Sequence, residues 1–266
     1  MSLREARSSR VASASPAALA AASPPPPVRR RNPVKTKESI LKAATAEFCR
    51  RGFDGARVDA ISARSKSNIR LLYQHFGDKT GLYVAVLERV YSEIRSREQA
   101  LRLDEFPPEE AMRRLIDFTF AFFGKRQDYV ALINSENLLR ARHMSRSKLI
   151  RSLTVPLVTS IREILARGER DGVFRRGVDP VQLYISITAQ SYFHVSNRHT
   201  LSAMFDRNLA DPAWLAERRA HAQELILTWL KAQADTSTPI HSEATDIAPA
   251  AASVRVRSAV GDAEVP

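Results

Sequence analysis

The chain has 266 residues, 44% of them hydrophobic and 26% charged, with a formal net charge of +12. Nine glycines are few for this length, and an abundance of Ala, Leu, Arg and Glu favours helices over a turn-rich β protein. Cys49 is the only cysteine, which excludes an intrachain disulfide and a cysteine-based zinc site, and makes it a small buried hydrophobe. No run of roughly 18 apolar residues is present, so no membrane span is expected.

The charge is unevenly placed. Residues 1–34 hold six Arg against one Glu, residues 35–82 hold ten Lys/Arg against five Asp/Glu, and residues 83–266 hold 25 against 23. A basic head on a nearly neutral body suits a polyanion reader joined to a second function. Arg4, Arg7, Arg10 and the Ala/Ser stretch after them resemble a targeting peptide, but Pro24–Pro27 and Arg29–Arg31 follow without an apolar core. Residues 1–34 are therefore expected to be a disordered basic arm.

Order is expected from about Thr36. Ile40, Leu41, Ala44 and Phe48 recur at helical spacing and Gly52 supplies a stop, predicting a helix over 36–51 with Phe53 folding back on its core. A short helix over 58–65, a tight turn and a second short helix over 68–75 follow, broken by Gly77. Asp78 caps a longer connector over 78–96 through Leu82, Val86, Leu87, Val90 and Ile94. Five more helices are expected. Pro107-Pro108 opens one to Lys125 that is apolar almost all round and therefore central; others cover 128–142 and 147–170, the latter kinked or broken at Pro156. Asp179-Pro180 and Asp211-Pro212 each join a cap to a first-turn proline, opening helices over 180–197 and 212–234. Residues 235–266 are expected to be a disordered tail. The expected fold class is all-α, with a three-helix head over 35–82 and a helical bundle over 83–234.

Two helices of about two turns joined by a turn of about three residues have helix-turn-helix geometry, in which the second helix enters the major groove. Val58, Ile61, Leu72 and Phe76 face inward; Lys66, Asn68, Arg70, Tyr73, Gln74 and His75 face outward and are rich in donors. Arg70 can fork onto guanine, and Gln74 or Asn68 can pair with adenine. Tyr73, His75 and Lys79 suit phosphates.

The strings Ile40-Leu41-x-x-Ala44, Gly52-Phe53, Val58-x-x-Ile61 and Leu72-Tyr73-x-His75-Phe76-x-x-Lys79-x-x-Leu82 resemble the TetR-family DNA-binding domain. Less specifically, Gly172-Val173-Phe174-Arg175, Val178-Asp179-Pro180 and Ser191-Tyr192-Phe193 resemble its sensor domain, so the likeness covers about 36–232. The resemblance implies that Tyr73 and His75 touch phosphates, that Lys79 closes the approach to the backbone, and that positions 69–71 face base edges. The chain departs from the pattern at the turn, where Lys66 and Ser67 replace Gly and an aliphatic, and at Ala56-Arg57, where a Ser/Thr cap is usual. Ile69 stands where a basic residue is common, and can pack on a thymine methyl; Arg57 can reach a phosphate. The DNA-binding candidates are thus Arg57, Lys66, Ser67, Asn68, Ile69, Arg70, Tyr73, Gln74, His75 and Lys79.

In the bundle, Phe118 and Phe122 line an effector pocket or simply pack the core. Asn137 and Arg140, three apart, share a helix face toward a polar ligand group or form a surface pair, and Tyr192 and His194 serve the pocket or the dimer. Trp214 and Trp229 are expected as core or dimer anchors. No Gly-rich phosphate loop, HExxH or GxSxG element occurs, so neither catalysis, a cofactor nor a metal site is expected. The resemblance implies a cytoplasmic homodimer that binds a pseudo-palindromic operator in double-stranded DNA, associates with the nucleoid when bound, and is released as a repressor by a small-molecule effector. An architectural DNA binder without effector is the alternative.

Overall fold

The computed structural model of the chain describes residues 33–231, so both expected terminal segments lie largely or wholly outside the described residues. Ten α-helices and no strand occur among them. The first, α1 (Pro33–Gly55), presents Ile40, Leu41, Ala44 and Phe48 on one buried face. Its regular helical geometry stops at Gly52, where the sequence puts the stop. Gly52, at φ 65° and ψ −174°, interrupts the helical geometry in a conformation that glycine adopts without a Cβ clash. The chain then resumes a short turn that returns Phe53 to the core, with its ring 5.1 Å from that of Tyr83.

α2 (Val58–Ser65) and α3 (Ile69–Phe76) fall where the periodicity puts them. α4 (Lys79–Gln99) is capped by Asp78, whose Oδ1 accepts from the Gly81 N–H at 2.6 Å. It runs about a turn beyond the expected end and buries Arg95 and Glu98 in its last two turns. A Cβ on Gly81 would lie 2.0 Å from the Phe76 carbonyl oxygen, so the close seating of α3 on α4 requires glycine at this point.

α5 (Pro108–Lys125) opens at Pro108 and is packed against α4, α6 (Gln127–Leu138), α7 (Lys148–Arg170), α8 (Pro180–Ser196) and α10 (Pro212–Lys231), as its all-round apolarity demands. α7 is one continuous helix through Pro156; the proline removes a single backbone bond, the one to the Ser152 carbonyl, without a break. Asp179 Oδ1 accepts from the Gln182 N–H at 2.7 Å, and Asp211 Oδ1 from Ala213 and Trp214, so both Asp-Pro pairs start helices.

Two differences from expectation matter. α6 ends at Leu138 rather than residue 142, and Arg140 and Ala141 are left-handed at φ 54° and 55°. The buried Glu136 carboxylate takes the N–H groups of His143 and Met144 instead of letting the helix continue. A further helix, α9 (Arg198–Met204), buries no residue, and so leaves no apolar period to read.

The apolar core is divided by location, and the division does not follow the 82/83 boundary. One cluster joins Phe48, Ile61, Leu72 and Leu82 to Val90, Phe122, Phe123 and Leu132, binding head and bundle together along α4. A second holds Met112, Leu115, Ile116, Ile161, Ile164, Ile187 and Leu227 in the distal bundle. Cys49 is half-buried, donates weakly to the Asp128 carbonyl at 3.3 Å, and burial raises its thiol to about 12. It packs at the seam between head and bundle.

Candidate nucleic-acid interface and ligand pocket

The turn between α2 and α3 is built from serines. Lys66 takes the left-handed position at φ 52° and ψ 33°, where most residues pay about 1 kcal/mol relative to glycine. The Lys66 and Ser67 N–H groups bond back to the Ala63 and Ser62 carbonyls, the Ser62 hydroxyl donates to the Ser67 carbonyl at 2.5 Å, and the Ser39 hydroxyl ties the Ser65 carbonyl to α1. These bonds replace the conformational ease a glycine would supply.

Asn68 is the N-cap of α3: its Oδ1 accepts from the Arg70 N–H at 2.8 Å. α3 carries no acidic residue. Lys66, Asn68, Arg70, Tyr73 and Gln74 are exposed along the turn and α3, with exposed Arg57 at the start of α2. Ile69, His75 and Lys79 are half-buried. Ser67 is only 7% exposed and its hydroxyl donates to the Ser65 carbonyl, so it shapes the turn rather than facing outward. The Lys79 ammonium donates to the Asp54 carbonyl at 3.1 Å and lies 5.0 Å from the Phe53 ring centroid, fastening the start of α4 to the end of α1. Lys37, which the sequence does not single out, lies 5.9 Å from the Phe76 ring centroid and adds charge to the head.

The six bundle candidates separate. Phe118 and Phe122, with ring centroids 5.8 Å apart, join an aromatic cluster that continues through Tyr129 and Phe123 to Tyr192. The Tyr192 hydroxyl donates to Asn134 Oδ1, and Ser196 donates to the same oxygen at 3.0 Å. Asn134, one turn before Asn137, is therefore the α6 residue that meets this aromatic cluster with a polar group. Asn137 and Arg140 are exposed, and the end of α6 at Leu138 leaves them on no common helix face. His194 lies elsewhere, its ring 4.9 Å from Phe120 and 5.7 Å from Trp214. Neither ring nitrogen has a partner, and burial, reinforced by Arg218, lowers its pKa to about 4. Trp214 is half-buried, whereas Trp229 is 47% exposed with the Arg175 guanidinium 4.8 Å from its ring centroid.

None of these six lines the pocket of ≈ 250 Å³ between the C-terminal turns of α4, the 3-10 turn Leu103–Glu105, α5 and α7. Arg95 and Glu98 lie on its α4 side, and both are buried. Arg95 Nη1 donates to Glu98 Oε2 at 2.5 Å and Nη2 donates to the Tyr184 hydroxyl of α8 at 3.0 Å. Burial raises the Glu98 carboxyl although Arg95 opposes it. Sequence periodicity gave no warning of this pair. Among the described residues no cluster of three or more His, Cys, Asp or Glu side chains could hold a metal, and no helix is long and apolar enough to cross a membrane.

An exposed, acid-free helix held behind a tight turn, on a head that shares its core with a helical bundle, defines a helix-turn-helix DNA-binding protein with an attached helical domain. A family model described as bacterial regulatory proteins of the tetR family matches residues 40–86, and one described as a tetracyclin repressor-like C-terminal domain matches residues 108–226. The chain is 36% identical over 197 residues to the HTH-type transcriptional repressor NicS of Pseudomonas putida, covering 74% of this chain and 93% of that one. It is 26% identical over 156 residues to the repressor AcnR of Corynebacterium glutamicum, covering 57% and 74%. Among solved structures, the Streptomyces coelicolor regulator SCO4942 aligns with a TM-score of 0.56 at 23% identity, covering 73% of this chain and 98% of that one. Bacillus subtilis FadR in complex with stearoyl-CoA aligns at 0.54 and 16% identity, again over 73% and 98%, a likeness of fold. The chain belongs to the TetR family of transcriptional regulators.

Proposed function

We propose that this regulator is a homodimeric, sequence-specific repressor that leaves its operator when a small molecule binds its helical bundle. The observation that carries the DNA half is the row Asn68, Arg70, Tyr73 and Gln74, exposed on a helix without acidic residues and capped at its first turn. Arg70 and Gln74 read base edges, while Arg57, Lys66, Tyr73 and His75 meet phosphates; Asn68 divides its amide between the cap and the groove. Lys79 holds the head together and adds charge close to the backbone.

Dimerisation is supported by an apolar stripe with no cover in the single chain. Val181, Ile185 and Phe193 project from α8, and Leu225 and Trp229 from α10, all 38% exposed or more. Pairing these faces across a two-fold axis sets two α3 helices about one DNA turn apart, roughly 34–36 Å, which suits a pseudo-palindromic operator. The effector half rests on kinship: NicS and AcnR are named repressors, and the FadR fold relative was solved with stearoyl-CoA bound. Such a protein acts in the cytoplasm, on the nucleoid.

The test is selection of duplexes from a random library followed by electrophoretic shift. Arg70→Ala relaxes sequence preference, whereas Arg57→Ala with Tyr73→Ala weakens all duplexes alike and flattens the salt dependence by about one unit of slope per lost phosphate contact. Equal losses on every sequence from both variants would leave an architectural DNA binder in place of a sequence reader.

A further inference from the structure

Between Glu136 and Glu163 the chain has no acidic residue and six basic ones, Arg140, Arg142, Arg146, Lys148, Arg151 and Arg162. The first five fall in the segment 140–151, which joins α6 to the first turn of α7, and all five are exposed. Residues 83–266 hold 25 Lys/Arg against 23 Asp/Glu, so these five outnumber the excess of everything beyond the head. Elsewhere on the bundle exposed arginines pair with a carboxylate one turn away, as Arg97 does with Glu93 and Arg114 with Glu110. None of the five loop cations has an ion pair among the described residues. The carboxylates that touch the loop are spent on its neutral donors: Glu136 takes the His143 and Met144 N–H groups, and Glu88 of α4 accepts from the Ser147 hydroxyl at 2.7 Å.

The loop has a fixed shape and a fixed seat. Glu136 holds it with Arg140 and Ala141 both left-handed, and Arg151 donates to the Ser145 carbonyl at 3.0 Å. His143, next to Arg142, is buried with its ring 4.1 Å from that of Phe53. The Lys79 ammonium lies 5.0 Å from the centroid of the same Phe53 ring. Phe53 therefore stands between the loop and the first residue of α4, which follows α3 directly, and exposed Arg57 lies four residues further on. The exposed acids beside Lys79 are Asp54 and Asp78, and Asp78 is already spent as the cap of α4. The edge stays positive. Cations gathered within a Debye length (about 8 Å at physiological salt) and left without counter-charges form a field that draws a polyanion.

We propose that the α6–α7 loop is a second DNA contact, made by the bundle itself, in which Arg140, Arg142 and Arg146 bind backbone phosphates of the duplex whose bases α3 reads. The assignment rests on the DNA-binding reading above and extends the footprint beyond the head. Arginine suits the task because its planar fork donates to two phosphate oxygens at once, and such contacts add affinity without reading sequence. An anionic membrane or an acidic protein matches the charge equally well. Neither accounts for a loop seated on the ring that also carries Lys79, at the edge where the head approaches its duplex.

The experiment measures Kd for a selected duplex and a scrambled one between 50 and 200 mM salt, using the full chain. Three triple variants are compared with the parent: Arg140, Arg142 and Arg146 all to Gln; the same three all to Lys; and exposed Arg162, Arg170 and Arg176, in the distal half of the bundle, all to Gln. The loop Gln variant should lose two to three units of salt slope, so that the parent's advantage shrinks about 10- to 40-fold across that range. Its preference for the selected over the scrambled duplex should stay as in the parent. The Lys variant should keep the parent's slope, and so should the distal variant, which removes the same net charge. An unchanged slope in the loop Gln variant, an equal loss in the distal variant, a loss in the Lys variant, or a collapse of sequence preference would each overturn the contact. If the slope is unchanged while phosphatidylserine vesicles bind the parent and not the loop Gln variant, the surface belongs to a membrane. Failure to select any duplex removes the DNA reader itself, whereas equal slopes on a selected duplex remove only the loop's part in it.

Discussion

Glu136 is the residue on which the junction of head and bundle should most depend. It is 1% exposed; Oε2 accepts from the His143 and Met144 N–H groups at 3.2 and 2.9 Å, and Oε1 faces His143 Nδ1 at 2.9 Å. Those contacts hold a loop whose Arg140 and Ala141 are both left-handed, a geometry costing about 1–2 kcal/mol per residue. They also fix the buried His143 ring 4.1 Å from Phe53 of α1 and 5.0 Å from Tyr83 of α4. Glu136→Ala strands two backbone donors and an imidazole nitrogen; at 1–3 kcal/mol each, with partial relaxation, the loss is about 4 kcal/mol. For a domain of this size that corresponds to a fall in Tm of roughly 8–16 °C. Glu136→Gln keeps one carbonyl acceptor and should lose about a third as much. The assay is thermal unfolding followed by circular dichroism at matched protein concentration, since any dimer makes Tm concentration-dependent. A Glu136→Ala protein melting within about 3 °C of Glu136→Gln would refute the claim that the carboxylate holds this loop.

Two further outcomes follow from local geometry. Gly81→Ala gains about 1 kcal/mol from helix propensity but places a Cβ 2.0 Å from the Phe76 carbonyl oxygen, so the net effect is a loss of roughly 1–3 kcal/mol with displacement of α3; urea unfolding that shows a more stable protein would sink this. His194, lowered to about 4 in the fold, contributes stability that is fully present above its unfolded value near 6.5 and is lost as pH falls from there toward 4, because only the unfolded chain takes up the proton. The loss is on the order of 3 kcal/mol. Melting curves for the parent and for His194→Gln between pH 7 and 4.5 should diverge, and parallel curves would count against it.

Most of the helices were legible because their signals are local. Asp78, Asp179-Pro180 and Asp211-Pro212 are caps by chemistry alone, and Leu72 with Phe76 declares the inner side of α3 by spacing. The end of α6 was not legible, since Leu139-Arg140-Ala141-Arg142 is good helix sequence and the break comes from Glu136 capturing N–H groups seven and eight residues on. The pocket was illegible for a related reason. Charged residues late in a connector helix look solvated, and only Tyr184, 89 residues away, shows that Arg95 is buried. Aromatic density drew attention to Phe118 and Phe122, which pack with their neighbours, while the cavity formed around an ion pair.

Under the proposed effector-released repressor, the placement of α4 bears on how a small ligand would govern DNA binding. Head and bundle share one core through Leu82, Tyr83 and Val90, so there is no loose hinge at the start of α4 and the helix must move with its head as a unit. Twenty-one residues at 1.5 Å each make a rod of about 30 Å. A tilt of about 5° pivoting at the pocket end shifts the far end by about 3 Å, and two-fold symmetry can double this to about 5 Å between the two recognition helices. Against a half-site spacing of roughly 34–36 Å, that is enough to take one α3 out of register with the groove while the other stays docked. The leverage of such a ligand would be bounded by its differential affinity for the tilted and untilted bundle.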